Sequence, residues 1–118
     1  MQVTFTILGE AASKSNSRRL VWRGRKPRVI KSAKALSYQD SFKKQCPVLP
    51  RLMTGDLIFE ATIYYASRRP DLDESLILDA MQGMIYKNDR QIKKKIVTWG
   101  LDKRNPRAEI TIKNDDTL

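Results

Sequence analysis

Leu57-Ile58-Phe59-Glu60-Ala61-Thr62-Ile63-Tyr64-Tyr65-Ala66-Ser67-Arg68-Arg69-Pro70-Asp71-Leu72-Asp73 decides how this chain folds. Leu57 to Ala66 mixes Ile58, Phe59, Ile63, Tyr64 and Tyr65 with Thr62, the aromatic and β-branched composition of a strand. Its end delivers Arg68-Arg69-Pro70 and two carboxylates. A third, Asp89, follows within Tyr86-Lys87-Asn88-Asp89-Arg90-Gln91-Ile92. These acids stand among cations in a chain of formal net charge +10. A polyanion-binding surface should repel carboxylates, so Asp residues clustered in a basic protein point to a metal site that works on phosphates. Taken alone, the Asp71-Leu72-Asp73 motif is better explained by Asp73 capping a helix and by Asp71 pairing with Arg68 or Arg69. The wider context favours the metal.

Outward from this stretch, Gln2 to Leu8 alternates Val3, Phe5 and Ile7 with Thr4 and Thr6, a strand with one buried face closed by Gly9. Ala11 to Ser17 reads as loop. Arg19 to Trp22 and Arg28 to Lys31 flank Arg23-Gly24-Arg25-Lys26-Pro27 and predict a hairpin arm tipped with cations. Ser32 is placed to cap a helix running to about Gln45, with Ala35, Leu36 and Phe42 inward. After the Leu57 strand, a helix fits Asp73 to Gln82, closed by Gly83. Leu76, Ile77, Leu78 and Met81 make it apolar on several sides, so burial on two is expected, against the sheet and against something else. Ile92 to Trp99 and Arg107 to Lys113 predict a second hairpin across Asp102-Lys103-Arg104-Asn105-Pro106, with Ala108, Ile110 and Ile112 inward. Asn114 to Leu118 reads as a frayed tail. The expected fold is α+β, a mixed sheet with two helices and a basic β-hairpin arm, in one domain over residues 1–118.

With 23 Lys and Arg against 13 Asp and Glu, a nucleic acid is the expected partner ahead of an anionic membrane. No apolar run approaches a membrane span and the N-terminus lacks a signal peptide's layout, which points to a cytoplasmic protein. The chain has no histidine, which removes Ser-His chemistry and His-ligated metals. Its one cysteine, Cys46, allows neither an internal disulfide nor a zinc cluster, and is read as a packing residue. Any metal must take oxygen ligands, which favours Mg²⁺ or Mn²⁺.

Pro70-Asp71-Leu72-Asp73, Asp79-Ala80-Met81-Gln82-Gly83 and Asp89-Arg90-Gln91-Ile92 together resemble the RusA family of Holliday-junction resolvases. Ser15-Asn16, Arg18, the basic hairpin, Ser32 and Tyr38 follow that family's layout more loosely. The resemblance implies that Asp71, Asp73 and Asp89 are the catalytic, metal-binding aspartates, able to hold one or two Mg²⁺ ions, with Asp89 returning after the helix to the end where Asp71 and Asp73 stand. Glu74 replaces the family's usual Asn and is a candidate further ligand. The segment between Asp73 and Asp79 is about two residues shorter than the family's, which would turn a regular helix by about 200°, so the helix start must be rebuilt. The family's catalytic Lys on that helix has no counterpart; Lys87, Arg90 or Lys14 could take its role. Asn88 stands for the first of the family's paired aspartates. Asp79 fits a structural acceptor and a place near the site equally well.

The resemblance implies a Mg²⁺-dependent endodeoxyribonuclease that resolves four-way DNA junctions by symmetric cleavage. A homodimer suits that task, because a two-fold enzyme matches a two-fold junction. Expected DNA contacts are Lys14, Asn16, Arg18, Arg19, Arg23, Arg25, Lys26, Arg28, Arg68, Arg69, Lys87 and Arg90. The second reading is a nucleic-acid-binding protein that keeps this fold with weak or no catalysis, as the absent lysine and shortened helix suggest.

Overall fold

Alternation of apolar residues along the Leu57 strand makes it the centre of the molecule. In the computed structural model, which describes residues 1–12 and 18–116, it is β4 (Leu57–Tyr65). The other elements are β1 (Gln2–Leu8), β2 (Arg18–Arg23), β3 (Lys26–Lys31), α1 (Ala33–Gln45), α2 (Ser75–Met81), a short 3-10 helix (Asp89–Gln91), β5 (Ile92–Leu101) and β6 (Arg107–Asn114). The main sheet has the order β1-β6-β4-β5, parallel between β4 and β5 and antiparallel elsewhere. The mixed sheet and two helices make the fold α+β, as expected.

Leu57, Phe59, Ile63 and Tyr65 of β4 are fully buried and line up with Ile7, Ala108, Ile110 and Ile112 on one sheet face. Both helices cover that face, giving two layers around one core. The opposite face carries polar pairs, such as Thr4 Oγ1 with Thr111 Oγ1 at 3.1 Å and Lys113 Nζ with Glu60 Oε1 at 3.0 Å. Cys46 is buried at the end of α1, and burial pushes its thiol up to about 11.

Several expectations change. The second hairpin does not form, because β4 lies between β5 and β6. β4 buries alternate residues along its whole length and takes the central place, whereas Lys93, Lys94 and Lys95 suit β5 to the edge. The 102–106 connection crosses the end of β4, where the Asp102 amide donates to Tyr65 O at 2.9 Å. Arg107, with Nη1 2.8 Å from Asp102 Oδ2, holds that carboxyl below the usual carboxylate range.

Leu36 points outward. The inner face of α1 is Ala35, Tyr38, Gln39 and Phe42, spaced i, i+3, i+4 and i+7. The start of the tail is held rather than frayed: the Asn114 side chain accepts from the N-terminus at 3.1 Å and donates to Thr54 O at 2.9 Å, and the Asp115 amide donates to Asp56 O at 2.9 Å.

α2 is shorter than expected and starts at Ser75. Gly83, at φ 83°, makes the left-handed turn that ends it. Its apolar sides are covered within the chain itself, by the sheet and α1, with Ile77 and Met81 fully buried and Leu78 nearly so. None of its apolar side chains is left exposed for a second subunit.

β2 and β3 form a separate ribbon turned at Gly24-Arg25. It projects, and the radius of gyration of 15.2 Å exceeds the about 13.5 Å expected for this length. Leu20, Trp22 and Val29 are each more than half exposed on it.

Candidate active site

Two stacked aromatic rings organise the loop that carries Asp71 and Asp73. Tyr65, the last residue of β4, stacks on Trp99 of β5 at 5.9 Å between centroids. Trp99 Nε1 donates to Pro70 O at 3.1 Å, and the Asp73 amide donates to Tyr65 Oη at 3.2 Å. The loop is thereby fixed at both ends, and the chain turns back along β5. Glu74 reaches Lys95, with Oε1 and Nζ 3.0 Å apart, four residues down the strand from Trp99. Burial pushes the Tyr65 hydroxyl above its ordinary phenol value; the Asp73 amide bond opposes this, while the carboxylates of Asp73, Glu10 and Glu74 add to it.

Asp73 divides its work between two oxygens. Oδ1 accepts from the Ser75 amide at 3.0 Å, which rebuilds the helix start that the shortened segment requires. Oδ2 is shut off from solvent and has no hydrogen-bond partner among the described residues. A carboxylate oxygen buried without a partner is costly unless a proton or a cation meets it. Asp71 is exposed and makes no ion pair with Arg68 or Arg69 among the described residues.

Asp89 does not join this group. β4 and β5 run parallel, with Leu57 opposite Ile92, so Asp89 stands beside the start of β4 and not at its end. Measured along β5, Ile92 is three residues, about 10 Å, beyond Lys95. Burial raises the Tyr86 hydroxyl well above its ordinary value, with Asp89 and then Asp79 adding to the rise, and that hydroxyl donates to Leu78 O at 2.7 Å. The turn before β5 folds around Gln91. Its Oε1 accepts from the amides of Lys87 and Asn88, and its Nε2 donates to Met53 O and Gly55 O. Asn88 caps the turn by accepting from the Arg90 amide at 2.9 Å, a job that a short polar side chain does. Gln91→Ala should leave the part-buried Met53 O unpaired and release the exposed turn bonds, at a cost of about 1 kcal/mol, read as a lower midpoint in chemical denaturation.

The acids divide between two tyrosines, Asp73, Glu10 and Glu74 acting on Tyr65 and Asp89 and Asp79 acting on Tyr86. Among the described residues no three carboxylates stand close enough to share one ion. Of the cations expected to replace the family lysine, Lys87 and Arg90 are exposed beside Asp89, and Lys14 lies outside the described residues, as does Asn16. Arg68 and Arg69 are exposed past β4. Arg25, Lys26 and Arg28 are exposed on the arm, and the backbone of Arg18, Arg19 and Arg23 lies in β2. The cation next to the Asp73 group is Lys95, which motif reading passed over because it belongs to a run on an edge strand. Glu10 was passed over too. Its signal was present: it is the sole acidic residue among the first 39.

Residues 10–113 match the family model described as endodeoxyribonuclease RusA. No curated protein matches the chain.

Proposed function

Because the chain belongs to the RusA endodeoxyribonuclease family, whose members resolve Holliday junctions, we propose that it cuts four-way DNA junctions by divalent-metal-dependent hydrolysis, once in each of two opposed strands. The observation that carries this reading is Asp73 Oδ2, a buried acceptor in the family-matched segment with no partner among the described residues. The residues suit Mg²⁺ or Mn²⁺: all donors are oxygens, and Mg²⁺ keeps several of its waters while taking one or two carboxylates, so a closed three-carboxylate cage is not required. A bound ion would supply electrostatic stabilisation of the phosphate under attack and a water of lowered pKa.

The chain's own residues do the rest. Asp73 would hold the ion from a loop fixed by Tyr65 and Trp99. Asp71 is exposed on the same loop, and Glu74 is held by Lys95. Lys95 places positive charge where the transition-state phosphate gathers negative charge, the role sought for the absent helix lysine. Asp89, with Asp79, forms a second acidic point along the DNA path. Arg68, Arg69, Lys87, Arg90 and the arm cations track the phosphate backbone. A homodimer supplies the two cuts, its contact surface lying outside α2.

Incubation with a synthetic four-way junction tests this directly. With Mg²⁺ or Mn²⁺, paired nicks at symmetric positions are expected, and EDTA should abolish them. Junction binding with no cleavage in any metal or pH would establish the second reading, a binding protein, which the separation of Asp89 from Asp73 favours.

The arm makes its own prediction. Replacing Arg25, Lys26 and Arg28 with Ala should weaken junction binding and flatten its salt dependence by about 0.9 in log-log slope per lost phosphate contact, so up to about 2.7. An unchanged slope would make the arm a solvated surface only.

A further inference from the structure

The basic arm has two unlike faces. In the β2–β3 register Leu20 stands opposite Val29 and Trp22 opposite Pro27, so these four side chains share one face. Lys26 and Arg28 fall on the other face, and Arg25 sits in the turn. Trp22 is 65% exposed, Val29 64% and Leu20 57%, and Pro27 is exposed with them. The ribbon's less exposed apolar residues, Val21 and Ile30, lie on the cationic side, so the Trp22 face is the uncovered one. Single exposed apolar residues are ordinary, but four on one face of a ribbon make a continuous patch. Contact between Trp22 and Pro27 across the strands helps to hold the ribbon, yet it leaves most of the indole open.

Charge decides what this patch takes. Every charged residue from 18 to 31 is Lys or Arg, so a second copy docked through the same face would set cation against cation. A polyanion is drawn in instead. Its phosphates satisfy the cations but give an apolar ring nothing. The apolar surface of a nucleic acid is its base faces, on which aromatic side chains stack. A continuous duplex hides those faces in its own stack, and a branch point interrupts the stack.

We propose that Trp22 stacks on a nucleobase left open at the branch point of a DNA junction, with Leu20, Pro27 and Val29 shielding the stack from water while Arg25, Lys26 and Arg28 hold the flanking phosphates. Trp22 is then a specificity-determining residue. The cations attract any duplex, and only an interrupted stack offers the ring a partner. This rests on the junction reading above and adds the group that tells a branched substrate from a linear one.

The test uses the full chain in EDTA, titrated into a synthetic four-way junction carrying 2-aminopurine at the branch point and into a linear duplex of matching sequence. Trp22→Ala should weaken junction binding by about 5- to 150-fold, the worth of one stacked base, and leave duplex binding unchanged. Trp22→Phe should restore most of the loss. The salt dependence of Trp22→Ala should keep the wild-type slope, because no phosphate contact goes; that slope also shows that the ribbon still presents its cations. Wild type should change the 2-aminopurine emission on binding, and Trp22→Ala should not. Equal losses on junction and duplex would mean a ribbon lying in a groove without sensing the branch, and would overturn the proposal. So would sedimentation showing that Trp22→Ala turns a dimer into a monomer, since the patch would then be a subunit contact. If wild type prefers the junction and Trp22→Ala keeps that preference, this proposal alone fails. If wild type binds the linear duplex as tightly as the junction, the junction reading fails and takes the proposal with it.

Discussion

Asp73→Asn should lower junction cleavage by about a thousandfold while leaving the fold and DNA binding intact. Loss of an ion ligand removes several kcal/mol of transition-state stabilisation, taken as about 4, and each ~1.4 kcal/mol is a factor of ten in rate. The amide keeps an oxygen for the Ser75 amide, so the helix start survives. Its other atom replaces Oδ2, which has no partner to lose among the described residues. Stability in EDTA should therefore hold or rise, because a buried charge disappears. Junction binding in EDTA should hold or tighten, since one like-charge repulsion of roughly 1 kcal/mol or more is relieved. Cleavage, binding and melting measured on the same preparation decide it. Cleavage at the wild-type rate, or a fall in Tm that tracks the loss of cleavage, would return Asp73 to a helix-start residue only. Asp71→Asn and Asp89→Asn in the same assay rank the other two. The separation of Asp89 from Asp73 predicts a smaller loss at Asp89 than at Asp73.

Met81→Lys should unfold the chain rather than split a dimer. Met81 is fully buried between the sheet and α1 within one chain. Truncating such a side chain alone costs about 2–5 kcal/mol. An unpaired buried charge adds roughly 3–5 kcal/mol, and the sum rivals the 5–15 kcal/mol by which a typical domain is stable. Circular dichroism should show lost tertiary signal at 25 °C, and sedimentation should show no folded monomer. Were α2 a subunit seam, the same variant would give a folded, soluble monomer of 13.6 kDa, and that result would overturn the placement of α2. Leu78→Asp should behave alike, since Leu78 is also covered by the chain's own core.

What the sequence determined by itself is local. The alternation from Leu57 to Tyr65, the Ser32 cap, the Gly83 turn and the basic hairpin around Gly24 each depend on contacts within a few residues; each forms, the hairpin with a tighter turn than the expected Arg23 to Pro27 link. The order of the Asp-bearing motifs was legible too, because it needs no folding at all. Where those motifs go is another matter. β5 and β6 are neighbours in sequence with a turn-forming link, yet β4 pairs with both, because a strand that buries every second residue gains more from two hydrogen-bonded edges than a lysine-rich one does. That competition is settled among segments dozens of residues apart. Its outcome runs β5 parallel to β4, which sets Asp89 beside the start of β4 and away from the end that leads to Asp71 and Asp73. The same packing pairs Lys95 of the edge strand with Glu74 and seats Gln39 of α1 against Leu76 at the start of α2. No spacing rule links these residues in the chain. Only packing both helices on one sheet face shuts Asp73 Oδ2 and the Tyr38 hydroxyl away from solvent, where every unpaired oxygen is costly.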